Sequence, residues 1–199
     1  MRNAAHLLAF SSQIDEKSSD LTAGPILAVS GTIGPRNAIA VDPVYSLRSN
    51  EATDEGPYEI TAFDASGKEL VRTHFNVIGR YGTTKAPRPF AVKVALSQKE
   101  LDALASLRVR DRDFQRTIVG THATDPHADV FRDRAGRFEI TWDAKAFPEI
   151  AITSAPPGSV FDLAIATGGH ALFGTPAKGI VVDFSNGLRS YRKVFTPQP

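Results

Sequence analysis

At 199 residues, 42% of them hydrophobic, the chain can fill one large β-domain or two small ones, which excludes a disordered tail. Lysine plus arginine (23) nearly balances aspartate plus glutamate (22), leaving a formal charge of +1 and no global field toward nucleic acid or anionic lipid. Cysteine is absent, so disulfides, thiolate zinc sites, iron–sulfur clusters and a cysteine nucleophile are excluded together.

Residues 1–24 read as a leader. Ser11 to Asp20 holds four serines and four charged residues around a single branched aliphatic, Ile14, too little apolar area to offset the entropy of ordering it. Ala4 to Phe10 is apolar but interrupted by His6, far short of a membrane span, and no signal peptide is recognisable in it. Its Leu7, Leu8 and Phe10 are expected to dock on a sheet edge or on another copy of the chain, a route to self-association. If the protein is exported, the expectation is that a signal or the rest of a longer precursor preceded Met1.

From residue 25 onward, period-two alternation recurs and helical periodicity is nearly absent. Tyr58, Ile60 and Ala62 share one face against Glu59 and Thr61, and Val71, Thr73, Phe75 and Val77 share one against Arg72, His74 and Asn76. The same holds for Phe90, Val92, Val94 and Leu96, and for Phe138, Ile140 and Trp142. Strands are predicted near 26–33, 37–47, 58–64, 69–77, 90–96, 105–110 and 113–119, then near 127–132, 136–143, 148–154, 159–166, 178–184 and 189–195. Turn chemistry falls between them: Asp64-Ala65-Ser66-Gly67, Arg134-Ala135-Gly136 and Ser185-Asn186-Gly187, whose Asn-Gly suits a type I′ turn.

One helix stands out near 98–105, where Ser97-Gln98-Lys99-Glu100 fits a capping box, Leu96 and Leu101 fit a hydrophobic staple, and Leu104 extends the apolar stripe. Gly79 to Pro89 reads as a long loop or a linker. The predicted fold is all-β: antiparallel sandwich layers, with residues 25–122 as one sandwich and 123–199 as a second, or as further strands of the same one.

Val41-Asp42-Pro43-Val44-Tyr45, Gly56-Pro57-Tyr58-Glu59-Ile60 and Asp64-Ala65-Ser66-Gly67-Lys68-Glu69-Leu70 follow one another in a way that resembles a β-rich region toward the C-terminus of large secreted bacterial proteins, some with peptidase domains. Thr141 to Pro148 and Phe184 to Ser190 are similar to the closing part of that region, so the resemblance spans roughly residues 25 to 195. It implies an immunoglobulin-like or fibronectin-like accessory module, extracellular or periplasmic, with no catalytic residues to carry over. Where such regions place an Asp-Pro-x-Thr-Gly turn, this chain has Ser154-Ala155-Pro156-Pro157-Gly158.

Few residues suggest chemistry. His122, Asp125, His127 and Asp129 form the densest set of candidate metal ligands, suited to zinc or another divalent ion, although Pro126 makes the segment a loop and a solvated loop is the plainer reading. The run Arg108 to Asp113 reads as a solvated strand face opposite Leu107 and Val109. There is no Gly-x-Ser-x-Gly elbow, no convergent carboxylate pair and no phosphate loop at Thr167-Gly168-Gly169-His170, which reads as a turn.

Among the aromatics, Trp142, Phe138, Phe147, Phe161 and Tyr191 are expected mainly in a core; Tyr45, Tyr81 and Phe173 are the candidates for an exposed glycan-stacking platform. The sequence thus predicts a non-catalytic module for protein or glycan interaction or for support of a partner domain, needing no cofactor and without membrane insertion. The competing reading is a small metal-dependent enzyme or metal-binding protein using the His122/His127 loop. A β-sandwich can host either.

Overall fold

A computed structural model describes residues 24–34, 38–49, 54–78, 87–112, 114–155 and 163–196. The predicted leader, Tyr81 and Phe161 lie outside them. The described chain is all-β with one short helix, in antiparallel sheets throughout, and it divides into two compact units, residues 24–120 and 121–196.

The first unit holds β1 (Gly24–Ile33), β2 (Ile39–Val41), β3 (Tyr45–Ser49), β4 (Tyr58–Asp64), β5 (Glu69–Phe75), β6 (Arg88–Ala95), α1 (Gln98–Ala103), β7 (Leu104–Asp111) and β8 (Phe114–Val119). One sheet is built around β1, with β2 and β3 on one side of it and β6 on the other; the second runs β5-β4-β7-β8. Rings join the two layers, Phe75 of β5 standing 4.8 Å from Phe90 of β6 and 5.4 Å from Tyr58.

The strand predicted over 37–47 is two. Pro43 has no N–H for a ladder, and across the break two residues of β1, Val29 and Ser30, face three, Asp42 to Val44. This is a β-bulge, held by Asp42 N–H donating to Ser30 O at 2.9 Å and Ser30 Oγ donating to Asp42 Oδ2 at 3.0 Å. Beside it, Gly31 lies under the Phe90 ring: a Cβ there would sit 2.1 Å from the Ala40 carbonyl oxygen, so only glycine lets the strands close.

The capping box of α1 is present in both directions, Glu100 N–H donating to Ser97 Oγ at 3.2 Å and Ser97 N–H to Glu100 Oε2 at 2.7 Å. The helix ends two residues before the predicted limit of 105. Leu104, read from the sequence as part of the helical stripe, has ψ 123° and opens β7 instead, buried opposite Asp64.

The second unit holds β9 (Ala128–Arg132), β10 (Phe138–Trp142), β11 (Glu149–Ala155), β12 (Leu163–Thr167), β13 (His170–Phe173), β14 (Gly179–Ser185) and β15 (Ser190–Phe195). They form sheets of order β13-β10-β9 and β12-β11-β14-β15. One core cluster takes Phe138, Ile140, Trp142 and Phe173 from the first of these and Ile150, Ile152, Ile180, Val182 and Phe184 from the second, so the layers close face to face. Trp142 is buried, as its place in the alternation predicts, and its indole N–H donates to Phe147 O at 2.8 Å. Phe147 in turn meets Phe184 and Tyr191 edge-on.

Two features of this unit depart from expectation. Gly168 and Gly169 do form a turn, but it is followed by β13, a strand the sequence reading did not assign. The Asn186-Gly187 connection is not a two-residue hairpin turn: Ser185 pairs with Ser190, leaving a four-residue loop closed by Asn186 N–H to Arg189 O. Buried Asn186 accepts at Oδ1 from the backbone of Leu188 and Arg189, while its Nδ2 donates to the carbonyls of Thr121 and Ala123. Thr121 is thereby tied down at the start of the unit, its hydroxyl donating to Ala146 O.

Candidate functional site

The four predicted metal ligands do not assemble. Asp125 and His127 meet, with His127 Nε2 3.4 Å from Asp125 Oδ2, but the imidazole is 88% exposed and the other carboxylate oxygen is taken by Lys193 Nζ at 2.9 Å. That hydrogen bond and the ammonium charge hold the Asp125 carboxyl below its ordinary range. His122 is exposed in the loop, and Asp129 lies on β9 opposite Thr141 of β10. Among the described residues, no three histidine, aspartate or glutamate side chains come together as a metal site would require. Chain proximity supplied the candidate ligands, and in the fold Asp125 is engaged by Lys193 instead.

The stacking platform is corrected as well. Tyr45 is only 3% exposed, in register with Ala28 of β1, and Phe173 only 6%, in register with Phe138 inside the second core. Neither offers a ring face to a sugar. Tyr81 lies outside the described residues.

Two outward sheet faces carry constellations that the sequence reading did not assemble. On the β13-β10-β9 sheet, Glu139 stands between Phe131 and Leu172 in register, both about half exposed, and His170 Nε2 lies 3.0 Å from Glu139 Oε1. The missed signal was β13 itself: with only Ala171 and Phe173 pointing inward, a four-residue strand is too short to show its period. On the β5-β4-β7-β8 sheet, Arg72 bridges Glu59 at 3.3 Å and Glu69 at 2.6 Å, and Arg108 lies over the Phe63 ring, 4.6 Å from its centroid. Leu107 and Val109 face the interior, as the alternation predicts.

The remaining described carboxylates with lowered pKa each have their own partner, Glu69 being held down by the hydrogen bond and charge of Arg72. Asp64 and Asp133 are each held down by hydrogen bonds within their own turns, Asp54 by the backbone N–H and ring of His74, and Glu100 by the backbone and hydroxyl of Ser97. These latter groups fix backbone geometry rather than converge on a common point.

Of the six large apolar side chains that stand exposed among the described residues, five cluster by topology, the sixth being Ile78 (50%) beyond the end of β5. Phe114 (45%) and Val119 (67%) lie on β8, Phe131 (48%) on β9, Leu172 (48%) on β13 and Val194 (64%) on β15, and each of those strands is the edge of its sheet. No described helix is long and apolar enough to cross a membrane. Compared with protein-family models, curated proteins and solved structures, the chain matches none of them.

Proposed function

We propose that this chain is a non-catalytic, immunoglobulin-like or fibronectin-like module of the cell surface, secretome or periplasm that works by binding a protein or glycan partner or by supporting a neighbouring domain. The observation that carries the reading is the concentration of exposed apolar side chains on edge strands. An edge strand offers unpaired N–H and C=O groups, and apolar side chains beside them add the desolvation that turns backbone pairing into affinity. The resemblance of residues 25 to 195 to accessory regions of large secreted bacterial proteins supports the compartment. Self-association through the apolar segment Ala4 to Phe10 belongs to the same reading, since Leu7, Leu8 and Phe10 are apolar enough to seek a surface to dock on.

The alternative, metal-dependent chemistry at the His122 loop, has less behind it, because Asp125 is already engaged by Lys193. Random-peptide display and a glycan array, each run with the wild-type chain and with a variant carrying threonine at Phe114, Val119, Phe131, Leu172 and Val194, test the proposal. The wild type should enrich ligands that the variant does not. Metal-stimulated turnover of a generic peptidase, esterase or glycosidase substrate, lost in His127→Ala, would overturn it.

A further inference from the structure

We propose that the free edge of β8 is the docking strand for an extended acidic segment of a partner protein, which adds to the β5-β4-β7-β8 sheet as a further strand; this rests on the interaction role above and names its surface and partner chemistry. β8 ends its sheet with no strand hydrogen-bonded beyond it, although β2 of the facing sheet comes near it, and its side chains are exposed along the strand apart from the half-buried Ile118. Its pairing with β7 runs without a register shift from Ser106–Val119 to Asp111–Phe114, and it contains no proline. The bulges and prolines that usually blunt an edge are thus absent from β8.

Charge selects the partner. Arg116 lies on β8, Arg110 on β7 opposite Gln115 and so on the other face, and Arg112 in the turn between the two strands. Among the described residues none of the three has an acidic partner, whereas Arg72 pairs with Glu59 and Glu69, Arg192 with Asp183 and Lys193 with Asp125, and Arg88 and Arg132 are held by the Tyr58 hydroxyl and by the carbonyls of Gly136 and Ala177. Arg116 deters two β8 edges from pairing with one another, because like charges would be brought together, and favours an incoming carboxylate. Along β8, Phe114, Arg116 and Ile118 occupy alternate positions and so share a face. The complementary strand carries an acidic residue opposite Arg116, flanked two residues away on each side by apolar ones.

The test uses the full chain and a fluorescein-labelled peptide with glutamate central in an alternating Val/Thr sequence, followed by anisotropy. The acidic peptide should bind about tenfold or more tightly than its lysine counterpart, weaken as salt is raised, and lose its advantage in Arg116→Glu. Arg116 is exposed, so circular dichroism and the Tm of that variant should match the wild type. Two peptides N-methylated at alternate residues separate strand addition from charge attraction: only the one blocking the N–H groups that face β8 should fail to bind.

Binding unchanged in both Arg116→Glu and Arg110→Glu, equal behaviour of the two methylated peptides, or equally tight binding of oligothymidylate as a generic polyanion would each overturn the proposal. So would failure of the acidic peptide to bind. Ligands recovered from the display library or glycan array that do not depend on β8 would at the same time leave the broader interaction role standing.

Discussion

The two units solve one problem in the same way and another differently. In residues 24–120, β4 and β5 are joined by Asp64-Ala65-Ser66-Gly67-Lys68; in residues 121–196, β9 and β10 are joined by Asp133-Arg134-Ala135-Gly136-Arg137. In both, the aspartate backbone N–H donates to the carbonyl four residues on, the glycine N–H donates back to the aspartate carbonyl, and Oδ1 accepts from the backbone N–H groups two and four residues later. Five residues with one carboxylate therefore make a complete turn wherever they fall, because all their bonds are local. The cores share no such recipe. The first stacks Tyr58, Phe75 and Phe90 at tilted angles between layers, and the second sets Phe147, Phe184, Tyr191 and Phe195 edge to face. Turns can be repeated by sequence; cores must be fitted to the strands that meet in them.

The largest effects should come from the cores. Phe184→Ala should cost about 3–5 kcal/mol, read as a shift of the denaturant transition followed by Trp142, the chain's single tryptophan. Phe75→Ala should cost a similar amount, read by hydrogen exchange in β4 to β7. If Phe75→Ala moves the Trp142 transition as far as Phe184→Ala does, the two units unfold as one cooperative block and the contrast between their cores has no separate energetic meaning.

Next comes Asn186→Ala. Removing the amide leaves the carbonyls of Thr121 and Ala123 and the N–H groups of Leu188 and Arg189 without their partner, so a loss of about 2–3 kcal/mol is expected, together with faster hydrogen exchange of the Thr121 amide, which donates to Asn186 O. A near-neutral result would mean that the loop does not anchor the start of the second unit. Ser97→Ala should cost about 1 kcal/mol by removing the N-cap of a helix just six residues long, an effect confined to the first unit and visible in the exchange of α1.

The smallest effect is the one the shared turns should show alike. Asp64 and Asp133 both ionise below their ordinary value of 3.8 when folded, Asp64 chiefly through the Ser66 hydroxyl and Asp133 chiefly through the Arg137 backbone N–H. Their contribution is complete above the unfolded carboxylate range and is lost as pH falls through the depressed folded values. Asp64→Asn and Asp133→Asn, which keep an oxygen acceptor but do not titrate, should each reduce the drop in Tm between about pH 5 and about pH 2. A flattened profile in only one of the two variants would show that the turns are alike in geometry and not in energetics.

Much of the fold was legible because it rests on local rules. The strand from Tyr58 to Asp64 lies where its alternation and the following Asp-x-x-Gly put it, and the capping box marked the start of α1 correctly. β13 was missed because a strand with two inward side chains carries too little pattern, and the break at Pro43 because a bulge preserves alternation on either side of it. The candidate sites fared worse. The His122 loop is rich in ligands by sequence, yet Asp125 finds Lys193, sixty-eight residues away. Tyr45 and Phe173 are buried by register with β1 and β10, information that no neighbouring residue contains.

The sequence by itself determined the all-β class, most strand positions, the capped helix and the burial of Trp142, because side-chain period, turn residues and caps act over a few residues and need no knowledge of what lies across the sheet. Tertiary structure decided which strands are edges, which aromatics are enclosed, and where exposed arginines and exposed apolar side chains come together. Those outcomes depend on strand order and register, set by pairings between segments far apart in the chain.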